Sequence, residues 1–165
     1  MNAIVAVDAN WAIGSQGGLL FSLPTDMKRF RSLTLHGTVL MGRKTLDSFP
    51  SGRPLPNRRN LVVTRQAGFV REGAECFPSP EAALEAAGDT EHLWLIGGGS
   101  LYAALLSQCE RVYLTKADAA APHADTYFPN LDNLPEWTLE QVSEPITENG
   151  VTYRFLDYRN TRFPT

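Results

Sequence analysis

The chain has 165 residues, 43% of them hydrophobic and 20% charged, which fits a single domain, 1–165, with material for a good core. A formal charge of -3 offers no basic surface for nucleic acid or an anionic membrane. No apolar run approaches a membrane span, and Met1 to Asp8 has neither the basic region nor the apolar length of a signal peptide.

Ala3-Ile4-Val5-Ala6-Val7 predicts a first, central strand. Asp8 to Leu20 carries Gly14, Gly17 and Gly18 without a period and reads as a long mobile loop. Ser22-Leu23-Pro24-Thr25 starts a helix with a capping hydroxyl and a proline whose missing amide costs little. Met27, Phe30 and Leu33 form its apolar stripe, and His36-Gly37 ends it. Thr38 to Met41 is a second strand, feeding Gly42-Arg43-Lys44-Thr45 at the head of a short helix.

Pro50 to Asn60, rich in proline and arginine, is a loop; Leu61 to Thr64 and Glu75 to Phe77 are the third and fourth strands. Ser79-Pro80-Glu81 caps a helix running to Ala87, where Gly88 stops it. Leu93 to Ile96 is the fifth strand, Ser100 to Ser107 the next helix, and Val112 to Thr115 the sixth strand. Trp137 to Ser143 and Val151 to Tyr158 then alternate as antiparallel partners across a turn containing Asn149-Gly150. The expected fold is α/β: a mainly parallel sheet with helices on both faces and a C-terminal antiparallel hairpin. Ligands of such sheets sit beyond the carboxyl ends of strands.

The scattered residues Cys76, Cys109, His36, His92 and His123 suggest no disulfide framework and no metal site, and a reducing, cytoplasmic setting is expected. Five groups of residues carry possible chemistry. Gly97-Gly98-Gly99-Ser100 joins a buried strand to a helix, and such a turn is either a close-packing device or a cradle for a pyrophosphate at free helix amides. It matches neither the dinucleotide fingerprint nor a P-loop.

Arg43, Lys44 and Arg65 follow strand ends; each is a solvated charge or, converging, they form a second phosphate site that favours the 2′-phosphorylated nicotinamide nucleotide. Asp26 is either an acid favoured by a helix N-terminus or, beside Phe21, Met27 and Phe30, a carboxylate gripping an amidine-like heterocycle. Arg53 and Arg58 flank a stiff Pro54-Leu55-Pro56 loop, where Arg58 holds a ligand carboxylate or simply aids solubility; Tyr102 covers a flat ring or joins the core.

In this order and spacing the pieces are familiar. Ile4-Val5-Ala6-Val7-Asp8, Ala12-Ile13-Gly14, Leu23-Pro24-Thr25-Asp26-Met27, Met41-Gly42-Arg43-Lys44-Thr45, Gly52-Arg53-Pro54-Leu55-Pro56-Asn57-Arg58, Ile96-Gly97-Gly98-Gly99-Ser100-Leu101-Tyr102, Tyr113-Leu114-Thr115 and Asp125-Thr126-Tyr127-Phe128-Pro129 together resemble dihydrofolate reductase over essentially the whole chain. The resemblance implies NADPH as hydride donor, 7,8-dihydrofolate as acceptor and antifolates as inhibitors; the unremarkable hydrophobic content makes a monomer the expected state. It implies that Asp26, supported by Thr115, anchors the pterin, that Phe21 and Tyr102 complete the reaction centre, and that Ile4, Val5, Met27, Phe30, Phe49, Arg53, Leu55 and Ile96 line the substrate site with Arg58 on its glutamate. Ala6, Ile13, Gly14, Gly17, Gly18 and Leu19 would border the nicotinamide. Gly42, Arg43, Thr64 and Arg65 would face the 2′-phosphate, and Lys44, Thr45, Gly97, Gly98, Gly99, Ser100, Leu101 and Tyr102 the pyrophosphate region, with a cis Gly97–Gly98 peptide. The loop after Asp8 resembles a lid, with Asp125 holding one of its states.

Leu20-Phe21 departs from the Pro-Trp usual in bacterial members, removing an indole donor and a proline restraint. Reduced trimethoprim sensitivity is the expected consequence. Two other readings remain. A pyrimidine reductase of riboflavin synthesis would keep the nucleotide features without the Asp26 and Arg58 pair, and a non-catalytic nucleotide-binding protein would bind NADPH without turnover.

Overall fold

The computed structural model describes residues 1–14 and 23–164. The expectations placed on Gly17, Gly18, Leu19, Leu20, Phe21 and Ser22 lie outside the described residues. In chain order the elements are β1 (Asn2–Val7), β2 (Ala12–Gly14), α1 (Pro24–Thr34), β3 (Thr38–Gly42), α2 (Arg43–Ser48), β4 (Arg59–Val63), β5 (Ala74–Phe77), α3 (Pro80–Ala87), β6 (Leu93–Gly97), α4 (Gly99–Leu105), β7 (Arg111–Ala117), β8 (Thr126–Tyr127), β9 (Trp137–Val142), β10 (Ile146–Glu148) and β11 (Val151–Asn160).

The main sheet runs β10-β11-β7-β1-β6-β3-β4-β5. Pairing is parallel from β7 to β5, and β11 closes the other side antiparallel. Alternation along the strands builds two cores. Ala3, Val5, Leu40, Leu61, Leu93, Leu95, Val112 and Leu114 face α3 and α4. Ile4, Val39, Met41, Val62 and Trp94 face the other way, against Phe30 and Leu33 of α1 and Leu46 of α2. The sheet is thus covered on both faces by helices, as the alternating strand and helix signals predict.

Local signals explain the helix ends. The Ser79 side chain accepts the Ala82 amide at 3.1 Å, Pro80 opens α3, and Gly88 ends it at φ 69°. Helix α1 differs from expectation: Leu23 is its N-cap and supplies no side-chain acceptor, with Pro24 at the first helical position.

Two further expectations are corrected. The Asn149-Gly150 turn, with both residues at positive φ, joins β10 to β11 rather than the 137–143 segment. Strand β9 pairs farther along the same edge of β11, from Leu156 to Asn160, with an irregularity within that ladder at Asp157/Tyr158; β11 has ten residues, enough to pair two short strands end to end. The described start of the loop after β1, residues 8–14, is also less free than expected. Asp8 is 1% exposed, and its carboxylate accepts the amides of Asn10, Ala12 and Ala121. Strand β2 pairs with β8. No described helix is long and apolar enough to cross a membrane.

Candidate active site

The site begins where a ladder stops. Strand β1 stays in register with β7 from Asn2–Arg111 to Val7–Lys116, but with β6 it registers only at Asn2–Trp94 and Ala3–Leu95. Beyond these pairs the two parallel strands part at their carboxyl ends. A cavity of about 330 Å³ opens between them, lined by Ile4, Val5 and Ala6 from β1 and by Ile96 and Gly97 from β6. Helix α1 contributes Asp26, Met27 and Phe30 to one wall, and α2 contributes Lys44, Thr45 and Ser48 to another. Phe49 and Pro50 continue that wall, and Ile13, Gly14 and Thr126 border the far end. Met27, 54% exposed, is an apolar side chain left open on this cleft.

The polar anchor of the apolar half is Asp26. The Thr115 hydroxyl, 3% exposed on β7, donates to its Oδ1 at 2.6 Å. Burial pushes the Asp26 carboxyl above the usual carboxylate range; the Thr115 hydrogen bond and the Arg29 guanidinium pull it back, and Glu148 pushes it further up. Desolvation therefore outweighs the Thr115 hydrogen bond and the Arg29 charge. A carboxylate in this setting suits a planar nitrogen base, which offers two donors and accommodates the charge.

At the other end the glycine turn is shaped by close approach. The Gly97–Gly98 peptide is cis, and Gly97 has φ 133°. A Cβ on Gly99 would lie 2.5 Å from Thr126 Cγ2, and one on Gly97 3.2 Å from Thr45 Oγ1. On Gly98 the only atom of a described residue in reach is Thr45 Oγ1, at 3.5 Å, and Gly98 borders the cleft. Backbone without side chains, next to Lys44 and Thr45, fits the pyrophosphate of a dinucleotide. Tyr102 also lines the cleft; its hydroxyl donates to the Ile4 carbonyl at 2.6 Å, and burial pushes its pKa up, keeping it a donor. Its ring packs edge-on against Phe128.

Register places a cationic corner beside the glycines. Gly42 pairs with Val63, so Arg43 leaves β3 alongside Thr64 and the exposed Arg65 leaving β4. Arg43 stacks on Phe69 at 4.2 Å and lies 3.4 Å from Asp47. Arg71 approaches the same ring and the same carboxylate.

The 53–58 loop, ahead of β4, lies outside the cleft lining. Leu55 packs on the cluster behind it, Arg53 is exposed, and Arg58 donates to the Thr34 hydroxyl and the Pro56 carbonyl at 3.0 Å each. Among the described residues Arg58 has no carboxylate partner. Asn60, 2% exposed, holds the loop by accepting the Leu55 amide and donating to the Leu55 and Arg58 carbonyls.

The structure thus gathers Ile4, Val5, Ala6, Ile13, Gly14, Asp26, Met27, Phe30, Lys44, Thr45, Phe49, Ile96, Gly97, Gly98, Gly99 and Tyr102 around one cavity, with Thr115 behind Asp26. It leaves Gly42, Arg43, Arg53, Leu55, Arg58, Thr64, Arg65, Ser100 and Leu101 outside that lining. Leu23, Ser48, Pro50 and Thr126 line it without having been singled out. Ser48 and Pro50 are legible once α2 is seen to run along the cleft, whereas Thr126 arrives only through the β2–β8 pairing.

A parallel sheet parted at the carboxyl ends of two strands, with an acid at one end of the cleft and a glycine cradle and cations at the other, defines a nucleotide-dependent α/β enzyme. The dihydrofolate reductase family model matches residues 1–160. A dihydrofolate reductase type 3 of Salmonella typhimurium is 41% identical over 150 residues, covering 91% of each chain. The Mycobacterium tuberculosis dihydrofolate reductase is 38% identical over 152 residues, covering 90% of this chain and 91% of its own. A solved structure, dihydrofolate reductase from Enterococcus faecalis complexed with NADP(H) and RAB-propyl, superposes with a TM-score of 0.85 at 30% identity, covering 96% of this chain and 94% of that one. The chain belongs to the dihydrofolate reductase family, a class of NADPH-dependent oxidoreductases.

Proposed function

We propose that the chain reduces 7,8-dihydrofolate to 5,6,7,8-tetrahydrofolate with NADPH, and that Asp26 is the residue that anchors the pterin. The observation that carries this reading is the Thr115-supported carboxylate on the apolar wall of a cleft whose other end is a glycine cradle. NADPH, when bound, supplies the hydride; Gly97, Gly98, Gly99, Lys44 and Thr45 would hold its pyrophosphate, and Arg43, Thr64 and Arg65 its 2′-phosphate. The remaining tasks fall to the chain. Ile4, Val5, Met27, Phe30, Phe49 and Ile96 exclude water and fix the plane of the pterin.

Asp26 accepts two hydrogen bonds from the pterin's amino group and ring nitrogen, and its negative charge raises the proton affinity of the ring it holds. The imine carbon accepts a hydride readily once its nitrogen gains a proton, and water entering the cleft can deliver that proton. Asp26 then acts by orientation and electrostatics. Arg58, held on Thr34 without a carboxylate partner among the described residues, would meet the substrate's glutamate. The unremarkable hydrophobic content of the chain supports a monomer as the working unit.

The test is loss of NADPH absorbance on adding dihydrofolate. Turnover supports the reading; NADPH binding without turnover, or turnover only with a pyrimidine substrate, refutes it. In Asp26→Asn, hydride transfer should fall most at neutral and higher pH, where the substrate nitrogen is least protonated; an unchanged rate there refutes the assigned role. We also propose that trimethoprim binds this chain less tightly than it binds bacterial relatives carrying Pro-Trp at the Leu20-Phe21 positions, with methotrexate less affected. Equal inhibition constants across such a pair would refute that.

A further inference from the structure

Helix α1 carries Asp26 in its first turn, and among the described residues its own segment supplies no side-chain cap. Leu23 at the N-cap offers no side-chain oxygen, so the first amides need acceptors from elsewhere. One comes from the far end of the chain. Glu148 is the last residue of β10, set at the Asn149-Gly150 turn. Its Oε1 accepts the Thr25 amide at 3.0 Å, and its Oε2 accepts the Thr25 hydroxyl. The Tyr153 hydroxyl, from a residue 0% exposed on β11, donates to Oε1 at 2.5 Å. The carboxylate is therefore held at three points, and two of them grip the residue immediately before Asp26. A negative charge at a helix N-terminus is also favoured by the helix dipole.

Charged groups reach Asp26 from several sides. On α1 itself, Arg29 is paired with Asp157 of β11 at 3.0 Å and stacked over Phe155 at 4.1 Å. Lys28, also on α1, acts on Glu148. From β7 comes the Thr115 hydroxyl, from β11 the Tyr153 phenol, and from β10 Glu148. Arg29 favours the Asp26 anion, whereas Glu148 opposes it.

We infer that Glu148 is a positioning residue for Asp26: it caps α1 from another element, aims the first turn into the cleft and keeps a negative charge beside the anchoring acid. The inference rests on the function proposed above. It explains why a carboxylate, rather than a neutral acceptor, stands where a serine or threonine cap is usual. A neutral cap would fix the helix, but only a charged one also raises the proton affinity of Asp26.

Two substitutions separate aim from charge. In Glu148→Gln the amide oxygen can keep the Thr25 amide and the Tyr153 hydroxyl, and the amide nitrogen can donate to the Thr25 hydroxyl oxygen. Charge is lost and geometry kept. Glu148→Ala removes both. Two readouts are needed: the pH dependence of kcat/KM for dihydrofolate, which reports groups of the free enzyme, and a carbon NMR titration of the Asp26 carboxyl in the ligand-free protein.

In both variants the Asp26 midpoint should move to lower pH. The dihydrofolate KM should stay within about twofold in Glu148→Gln and rise roughly three- to tenfold in Glu148→Ala, as expected when charge-assisted hydrogen bonds that orient a binding group are lost. A midpoint that is unchanged or higher in Glu148→Gln overturns the inference, as does an unchanged KM in Glu148→Ala. If the alanine variant does not fold, the glutamine variant's NMR titration decides. That titration needs no substrate, so it judges the inference even if the wild-type chain fails to oxidise NADPH with dihydrofolate, an outcome that would defeat the proposed function alone.

Discussion

Thr115→Val probes the Asp26 site with the smallest change of shape. The hydroxyl donates at 2.6 Å from a residue 3% exposed, a short contact to an ionisable group and so at the strong end for a side-chain pair. A hydrogen bond to a charged group contributes about 1.5–3 kcal/mol, but Asp26 borders the cleft and water can replace the lost donor, so about 1–2 kcal/mol is expected. For a chain of this size that lowers the melting temperature by roughly 3–6 °C. The more specific readout is the pH profile. Thr115 favours the Asp26 anion, so its removal lets burial act with less opposition and the carboxyl's pKa rises. The midpoint of kcat/KM for dihydrofolate should therefore move to higher pH, opposite in sign to Glu148→Gln. A midpoint that stays fixed or moves down, in a variant with normal NADPH affinity, would refute the assigned balance of burial against hydrogen bonding.

Asp26→Asn should be more stable than the parent at neutral pH, because it removes a charge whose burial outweighs the Thr115 hydrogen bond and the Arg29 guanidinium. The native chain keeps the Asp26 proton to higher pH than the unfolded chain does, so stability declines as pH rises from the ordinary carboxylate range through the raised native value. Urea titrations should show the difference closing on acidification, and a less stable Asp26→Asn at neutrality would contradict this. Gly99→Ala places a Cβ 2.5 Å from Thr126 Cγ2 and should cost about 1–3 kcal/mol and weaken NADPH binding measured by fluorescence; normal binding would show that the turn does not cradle the nucleotide. Arg58→Leu should raise KM for dihydrofolate about tenfold or more yet leave a pterin lacking the glutamate unaffected. Equal effects on both substrates would remove Arg58 from glutamate recognition.

Much of this was legible locally, for reasons the structure makes plain. Ser79, Pro80 and Gly88 bound α3 by backbone chemistry that needs no tertiary partner. Gly97 and Gly99 stand where a side chain would collide, so composition alone marked the turn. What stayed hidden depended on distant pairing. Glu148 caps a helix 123 residues away in sequence, and nothing near it signals that task. Asn60 looked like the end of a loop, yet its three hydrogen bonds hold the segment carrying Leu55 and Arg58. Asp8 looked like the start of a mobile stretch, and it is a buried hub for three amides. A short polar side chain can end a strand or satisfy a buried backbone with the same local sequence, and only the fold decides between them.

The cleft itself follows from an interruption in an otherwise regular sheet. Strand β6 is irregular against β3 between Leu40 and Met41, and Gly97 then turns the chain at φ 133°. Beyond Ala3, β1 therefore finds no registered partner on that side. Parting two central strands exposes backbone that a continuous ladder would satisfy, and the exposure must be met by other groups. The Tyr102 hydroxyl meets it at Ile4; beyond that point the rims formed by Val5, Ala6, Ile96 and Gly97 face the cavity. The same interruption that opens the cleft thus leaves backbone edges along its rims. Asp26 and the glycine turn stand at its two ends because α1 and α4 each begin there.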